Sequence, residues 1–164
     1  MKVLARIGLG LAVAGAALLN HSAAQATEPH GINIIIKSSI DPNFCVESAS
    51  TGGPEGRSVY MSACAVRDNQ HWTFTWDPGN NSVIVGGEGL CLDIRGRKPG
   101  DGLPVQVWKC HYGDNQRFTF TNNGHIKEHK SGKCLEIAKA AQAAAVFVNE
   151  CNETKKEQIF TLAR

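Results

Sequence analysis

A threefold internal repeat constrains the fold of this chain more than any other feature of its sequence. Two cysteines and a glutamine recur in order, as Cys45, Cys64 and Gln70, then Cys91, Cys110 and Gln116, then Cys134, Cys151 and Gln158. The first cysteines of successive copies lie 46 and 43 residues apart, and the glutamines lie 46 and 42 residues apart. A unit of about 45 residues with a few short strands cannot bury its own apolar face, so three units must share one core.

The repeat also predicts how the cysteines pair. An even number of cysteines, 6 in this chain, is typical of a disulfide framework formed in an oxidising compartment. Pairing within each copy gives Cys45–Cys64, Cys91–Cys110 and Cys134–Cys151. A zinc site is the competing interpretation, but no C-x-x-C or H-x-x-x-H spacing supports it, and we expect no bound metal.

The first 26 residues have the pattern of a cleavable export signal. Lys2 and Arg6 precede an apolar run over 7–19, and Ala24-Gln25-Ala26 supplies a small-x-small cleavage pattern. We predict a single domain over 27–164 that is secreted or periplasmic. The apolar run is shorter than the roughly 20 residues that a membrane span needs, so we expect no membrane insertion.

The charge balance argues against nucleic acid as a partner. Without Lys2 and Arg6, the 17 basic residues of the chain fall to 15, which equals the number of acidic residues. A nucleic-acid-binding surface needs an excess of positive charge. The sequence also lacks the G-x-S-x-G, H-E-x-x-H and phosphate-loop motifs, so we predict neither catalysis nor a cofactor.

Within each copy the pattern predicts short strands separated by turns. The segments 82–85, 105–108 and 117–120 are rich in strand-forming residues or alternate apolar and polar ones, and Gly, Pro and Asn clusters separate them. The helix-favouring stretch 137–145 lies inside the third cysteine pair, where we expect at most one helical turn. Large apolar residues two positions after each repeated glutamine are predicted to meet in the shared core: Trp72, Phe118 and Phe160.

These motifs resemble those of the ricin-type β-trefoil lectin family. Each copy has a Cys…Cys…Gln-x-Trp-like order, and the second copy begins Cys91-Leu92-Asp93. The resemblance runs from about Asn33 to the end, with repeats of about 33–76, 77–121 and 122–164. It implies an all-β β-trefoil, in which twelve strands form a short barrel capped by three hairpins. Phe118 and Phe160 stand where the family motif prefers Trp.

The resemblance also implies a sugar-binding site in the second copy. The family places an Asp two residues after the first cysteine, a Gln and an aromatic residue before the second, and an Asn-Gln pair at the last motif. The second copy has all of them: Asp93, Gln106, Trp108, Asn115 and Gln116.

Each of the five has an expected role. Asp93 would accept hydrogen bonds from two vicinal hydroxyls, and Asn115 would bond one of the same hydroxyls. Trp108 would stack on the apolar face of the sugar. Gln116 would orient Asp93 while bracing the fold, and Gln106 would line the pocket edge. Structural roles remain open, since Asp93 could cap a turn and Trp108 could be an ordinary core or surface aromatic.

The other two copies depart from this pattern. The first copy has a longer carboxylate and lacks the amide and aromatic positions: Glu47, Tyr60 and Ser62. The third copy departs at four positions: Glu136, Phe147, Asn149 and Glu157. A longer carboxylate without an aromatic platform does not hold a sugar ring in the same pose, so we expect binding through the middle copy.

The predicted function is therefore carbohydrate binding by a secreted lectin, with galactose-type glycans favoured by the resemblance. The alternative is a cell-surface-binding or scaffold subunit of a multi-protein bacterial toxin or secreted complex, because similar trefoils serve as subunits of cytolethal distending toxins. In that case a toxin or enzyme partner matters as much as the glycan. A protease-inhibitor trefoil is a weaker idea, since no exposed reactive loop is evident.

Overall fold

The computed structural model describes residues 31–51, 53, 55–76, 82–86, 88–96 and 100–164; the predicted export signal lies outside them. The described residues form twelve strands, no α-helix, and three short 3₁₀ turns over Asp68–Gln70, Asp114–Gln116 and Lys156–Gln158. The strands are β1 Gly31–Ser38, β2 Phe44–Ser48, β3 Arg57–Ala63, β4 Trp72–Trp76, β5 Ser82–Gly86, β6 Cys91–Ile94, β7 Leu103–Trp108, β8 Phe118–Phe120, β9 Ile126–Glu128, β10 Cys134–Ile137, β11 Ala144–Asn149 and β12 Phe160–Ala163.

Two groups of strands build the fold. One group forms the barrel wall, in which β1 pairs with β4 and β12, β4 with β5, β5 with β8, and β8 with β9. The other consists of three hairpins, β2–β3, β6–β7 and β10–β11. The second strands of these hairpins also pair with one another, β3 with β7, β7 with β11 and β11 with β3. This closed triangle of contacts is the threefold arrangement that the resemblance implies.

The core lies at the centre of the three copies. The three predicted core aromatics are buried, with 1% or less of each side chain exposed: Trp72, Phe118 and Phe160. The Trp72 indole N–H donates to the Val46 carbonyl oxygen at 3.0 Å, so the polar atom of this buried ring is satisfied. The predicted position of these aromatics in the shared core is confirmed.

The disulfides follow the pairing predicted from the repeat. Cys45–Cys64, Cys91–Cys110 and Cys134–Cys151 each join Cα atoms 5.0 Å apart. In each copy the bridge links the start of the first hairpin strand to the loop that follows the second strand. That loop leads to the 3₁₀ turn carrying the repeated glutamine, so the disulfide fixes this loop against the first strand of the hairpin in the same copy.

The stretch 137–145 forms a turn between strands. Strand β10 ends at Ile137 and β11 begins at Ala144, and a hydrogen bond from Ala144 N–H to the Ala141 carbonyl oxygen at 3.1 Å closes the turn. Its alanines favour a helix, but pairing with β3 and β7 fixes the flanking residues as strand. Among the described residues, no helix has the length and apolar character to cross a membrane.

Candidate functional site

The repeated glutamine of the second copy holds the loop after Cys110 in place. Gln116 is fully buried. Its Oε1 accepts hydrogen bonds from the backbone N–H groups of His111 and Tyr112 at 2.9 and 3.2 Å. Its Nε2 donates to the Lys109 carbonyl oxygen at 3.0 Å and to Asp93 Oδ2 at 2.9 Å. Gln116 therefore both braces the loop and orients Asp93, as the sequence predicts.

The same glutamine–carboxylate contact occurs in the other two copies. Gln70 Nε2 donates to Glu47 Oε2 at 2.5 Å, and Gln158 Nε2 donates to Glu136 Oε2 at 2.7 Å. Both glutamines also bond the backbone on either side of the second cysteine of their copy. A buried carboxylate two residues after the first cysteine is thus a structural part of every copy.

Asp93 accepts further hydrogen bonds from two other side-chain amides. The pairing of β6 with β7 sets Asp93 opposite Gln106 and Cys91 opposite Trp108, and alternate residues of a strand share one face. Gln106 Nε2 donates to Asp93 Oδ1 at 2.9 Å, and Asn115 Nδ2 donates to Asp93 Oδ2 at 2.9 Å. Three amide donors therefore fix this carboxylate, which is only 2% exposed.

These side chains surround an open hollow of about 360 Å³ on the surface of the second copy. Its lining consists of Asp93, Gly96, Gln106, Trp108, His111 and Asn115. Trp108 is 37% exposed, which leaves ring surface free at the hollow. Four of the five predicted site residues line the hollow, and the fifth, Gln116, is buried behind Asp93.

The hydrogen-bonding capacity of the hollow can be counted. A carboxylate has about four acceptor positions, and three amides occupy three of them, which leaves one free on Asp93 Oδ1. Both amide hydrogens of Asn115 are engaged, by Asp93 and by the Ile94 carbonyl oxygen at 3.1 Å. Gln106 Oε1 accepts from Arg95 Nε at 3.2 Å, which fixes the orientation of this amide.

His111 adds a donor that the sequence motif does not include. Its Nδ1 accepts the Gly113 N–H at 3.1 Å, so in the neutral ring Nε2 carries the hydrogen. Nε2 lies 3.5 Å from Asp93 Oδ2, which is too far for a good hydrogen bond. The His111 N–H is therefore available to a ligand beside the carboxylate. In the sequence, the position of His111 directly after Cys110 is the feature that could have indicated its place in the site.

The equivalent position of the first copy is filled by its own side chains. Tyr60 Oη donates to Glu47 Oε1 at 2.9 Å, in addition to the bond from Gln70. Burial by itself raises the pKa of Glu47, but its side-chain hydrogen bonds, the largest of them from Gln70 and Tyr60, together hold the pKa below its ordinary value. Both carboxylate oxygens are thus satisfied internally, and Ser62 stands where the second copy has Trp108.

The third copy is closed by a lysine. Lys155 Nζ lies 2.5 Å from Glu136 Oε1, while Gln158 bonds the other oxygen. Burial raises the pKa of Glu136, but the contacts with Lys155 and Gln158 together hold it below its ordinary value. Asn149 occupies the platform position and accepts the Gly102 N–H at 2.8 Å. Of the three copies, the second is therefore the one in which an aromatic ring and a carboxylate lie together at an open surface.

The sequence of this chain is similar to parts of several plant lectins. The chain is 36% identical over 78 residues to an agglutinin of Ricinus communis, a match that covers 46% of this chain and 14% of that protein. It is 33% identical over 76 residues to beta-galactoside-specific lectin 3 of Viscum album, covering 45% and 13%. The chain thus matches only a small part of the length of these relatives.

The fold has close counterparts among solved structures. A designed threefold-symmetric protein, ThreeFoil, superposes with a TM-score of 0.74 at 19% identity, covering 80% of this chain and 97% of that chain. The family model for the ricin-type beta-trefoil lectin domain matches residues 33–160, which is most of the sequence. The chain therefore belongs to the ricin-type beta-trefoil lectin family.

Proposed function

We propose that this protein binds carbohydrate in the hollow of its second repeat, and that its ligands are galactose-type glycans. The observation that carries the proposal is the shared hollow of the Asp93 carboxylate and the Trp108 ring. A pyranose presents hydroxyls in one direction and an apolar C–H face in another, so it needs a directional acceptor beside an aromatic surface.

The hydrogen bonds suggest how a sugar would enter. One hydroxyl donates to the free acceptor position on Asp93 Oδ1. A second, neighbouring hydroxyl reaches Asp93 Oδ2 when Asn115 gives up its bond to that oxygen and donates to the hydroxyl instead. His111 Nε2–H donates to a hydroxyl oxygen at the same edge, and Trp108 covers the C–H face of the ring. The exchange by Asn115 keeps every polar atom paired.

Galactose is favoured over other sugars by the relatives. Two relatives carry names that point to sugar binding, an agglutinin and a beta-galactoside-specific lectin. A single shallow hollow buries little area, so we expect millimolar to high-micromolar affinity for one sugar, on the order of −4 to −6 kcal/mol. Retention on a cell surface then requires clustering or a partner chain. A free-standing lectin would depend on clustering, whereas a toxin subunit would depend on its partner chain.

The protein acts outside the cytoplasm in this proposal. Three disulfides fit an oxidising compartment, and the pattern over residues 1–26 fits an export signal. The matched family domain is a carbohydrate-binding domain and not a catalytic one, which supports a binding protein without enzymatic activity.

The test is an NMR titration of ¹⁵N-labelled protein over 27–164 with lactose, accompanied by a glycan array. We expect saturable shifts of the Trp108 indole and Asn115 amide signals in the wild type. The change Trp108→Ala abolishes the lactose-induced shift of the Asn115 amide signal, while Asn149→Ala, at the equivalent position of the third copy, leaves both shifts unchanged. Equal binding by wild type and Trp108→Ala would refute the site, and a wild type that binds no glycan on the array would refute the function.

A further inference from the structure

The residue immediately before the second strand of each hairpin has the same unusual backbone in all three copies. Gly56 precedes β3, Gly102 precedes β7 and Ala143 precedes β11, with φ of +79°, +73° and +58°. The backbone N–H of each donates to the neighbouring hairpin, to the carbonyl oxygen of Val107, Val148 or Met61 at 2.9, 2.8 and 2.8 Å. The three positions are therefore equivalent by threefold symmetry.

What differs is the side chain that each position faces. The residue after the acceptor carbonyl is Trp108 for Gly56, Asn149 for Gly102 and Ser62 for Ala143. A Cβ added to Gly56 would lie 3.2 Å from Trp108 Cζ3 and 3.7 Å from Cε3. A Cβ added to Gly102 would have nothing within 4 Å.

A glycine can be required by positive φ or by lack of space for a Cβ, and Ala143 distinguishes these two reasons. Positive φ disfavours residues with a Cβ, yet the third copy carries alanine in this conformation. The backbone of the fold therefore accepts alanine here when the neighbouring hairpin presents the small Ser62. In the first copy the additional constraint comes from the Trp108 ring, which lies against the Gly56 backbone.

We infer that Gly56, in the first repeat, is a positioning residue for Trp108, and that the candidate sugar site, although lined by the second repeat, depends on a contact with the first. With no Cβ at Gly56, one edge of the indole rests on the backbone before β3, and the ring surface at the hollow stays free. A methyl group at this point is closer than ordinary van der Waals contact allows, so the ring must shift. The same Cβ would lie 4.0 Å from Gln106 Oε1, so the amide that bonds Asp93 lies next to the same contact. The positioning role stands on this geometry alone, and its effect on sugar affinity rests on the proposed function.

The experiment compares Gly56→Ala with Gly102→Ala. Both changes carry the same backbone cost, and both positions keep the same hydrogen bond to the next hairpin, but only the first introduces a contact with Trp108. In the free protein we expect the Trp108 indole ¹H–¹⁵N signal to shift in Gly56→Ala and to stay in place in Gly102→Ala. In the lactose titration we expect Gly56→Ala to bind about three- to tenfold more weakly, the range expected when an aromatic contact is lost.

The indole signal keeps the two proposals distinguishable. If the wild type binds neither lactose nor any glycan on the array, the proposed function fails, while the indole signal still decides the role of Gly56. An indole signal that stays in place in Gly56→Ala, or that shifts equally in both variants, overturns the inference. If Gly56→Ala does not fold, the double variant Gly56→Ala, Trp108→Ala is expected to fold, because the contact is gone; failure of the double variant to fold also overturns the inference.

Discussion

Replacement of Asp93 is expected to destabilise the fold as well as the site. Its carboxylate accepts hydrogen bonds from Gln106, Asn115 and Gln116, each at 2.9 Å. The change Asp93→Ala removes the partner of all three amides at once. Because these donors differ in their access to water, the cost of the change can be worked out donor by donor.

Gln106 and Asn115 line the hollow, so water can replace Asp93 as their partner at a small net cost. Gln116 is fully buried, and although one amide hydrogen keeps the Lys109 carbonyl oxygen, the other is left unpaired. An unsatisfied buried donor costs about 1–3 kcal/mol. With a further contribution of up to about 1 kcal/mol from the weakened bonds of the other two amides, we expect Asp93→Ala to lower the free energy of unfolding by about 1–4 kcal/mol.

The assay is urea unfolding followed by circular dichroism, with the disulfides intact. Asp114→Ala is the matched control, since its carboxylate is exposed and pairs with Lys130 at the surface, where solvent screening leaves an ion pair with little effect on stability. A change in unfolding free energy for Asp93→Ala below about 0.5 kcal/mol, or no larger than that of Asp114→Ala, would refute the structural role assigned to this carboxylate. Loss of sugar binding in Asp93→Ala is therefore a weaker test of the site than loss in Trp108→Ala.

Two further predictions concern the whole fold. Glu47 and Glu136 have pKa values held below the ordinary 4.5 in the folded protein. The stability that they contribute is therefore present above about pH 4.5 and is lost as the pH falls through their folded-state pKa values. Urea midpoints measured from pH 6 to pH 3 should fall, and they should fall less steeply in the double variant Glu47→Gln, Glu136→Gln. Replacing Cys91 and Cys110, which are 19 residues apart, with serine should lower the unfolding free energy by about 3 kcal/mol, measured in the same urea assay; a loss below about 1 kcal/mol would contradict the expected contribution of this bridge.

The parts of the fold that depend on order along the chain could be predicted from the sequence. The nearly equal spacing of Cys45, Cys91 and Cys134 identified the repeat, and the repeat predicted both the disulfide pairing and the burial of the aromatics. The placement of Asp93 beside Gln106 followed from the family motif, and the strand register supplies its physical cause, since the two residues are directly opposite across the β6–β7 hairpin.

Contacts between copies could not be predicted in this way. The sequence gives no sign that Gly56 lies against Trp108, because the two residues belong to different repeats and meet only through the pairing of β3 with β7. The tautomer of His111 likewise depends on a loop hydrogen bond from Gly113. The first feature arises from the packing of three units around one axis, and the second depends on the conformation of the loop after Cys110, so a motif of residue types encodes neither.

The carboxylate of the first and third copies has a structural role that is independent of a ligand. Every copy needs this group to pair with its buried glutamine, so its presence alone does not mark a binding site. A glutamate extends its carboxylate one methylene further than Asp93 does. Tyr60 in the first copy and Lys155 in the third lie at the second oxygen of that glutamate, as Gln106 lies at Asp93 Oδ1, but Ser62 and Asn149 stand where the second copy has the Trp108 ring. Restoring a site in the third copy therefore requires removal of the lysine as well as an aspartate and an aromatic platform, because the ligand must find an acceptor that the fold has left free.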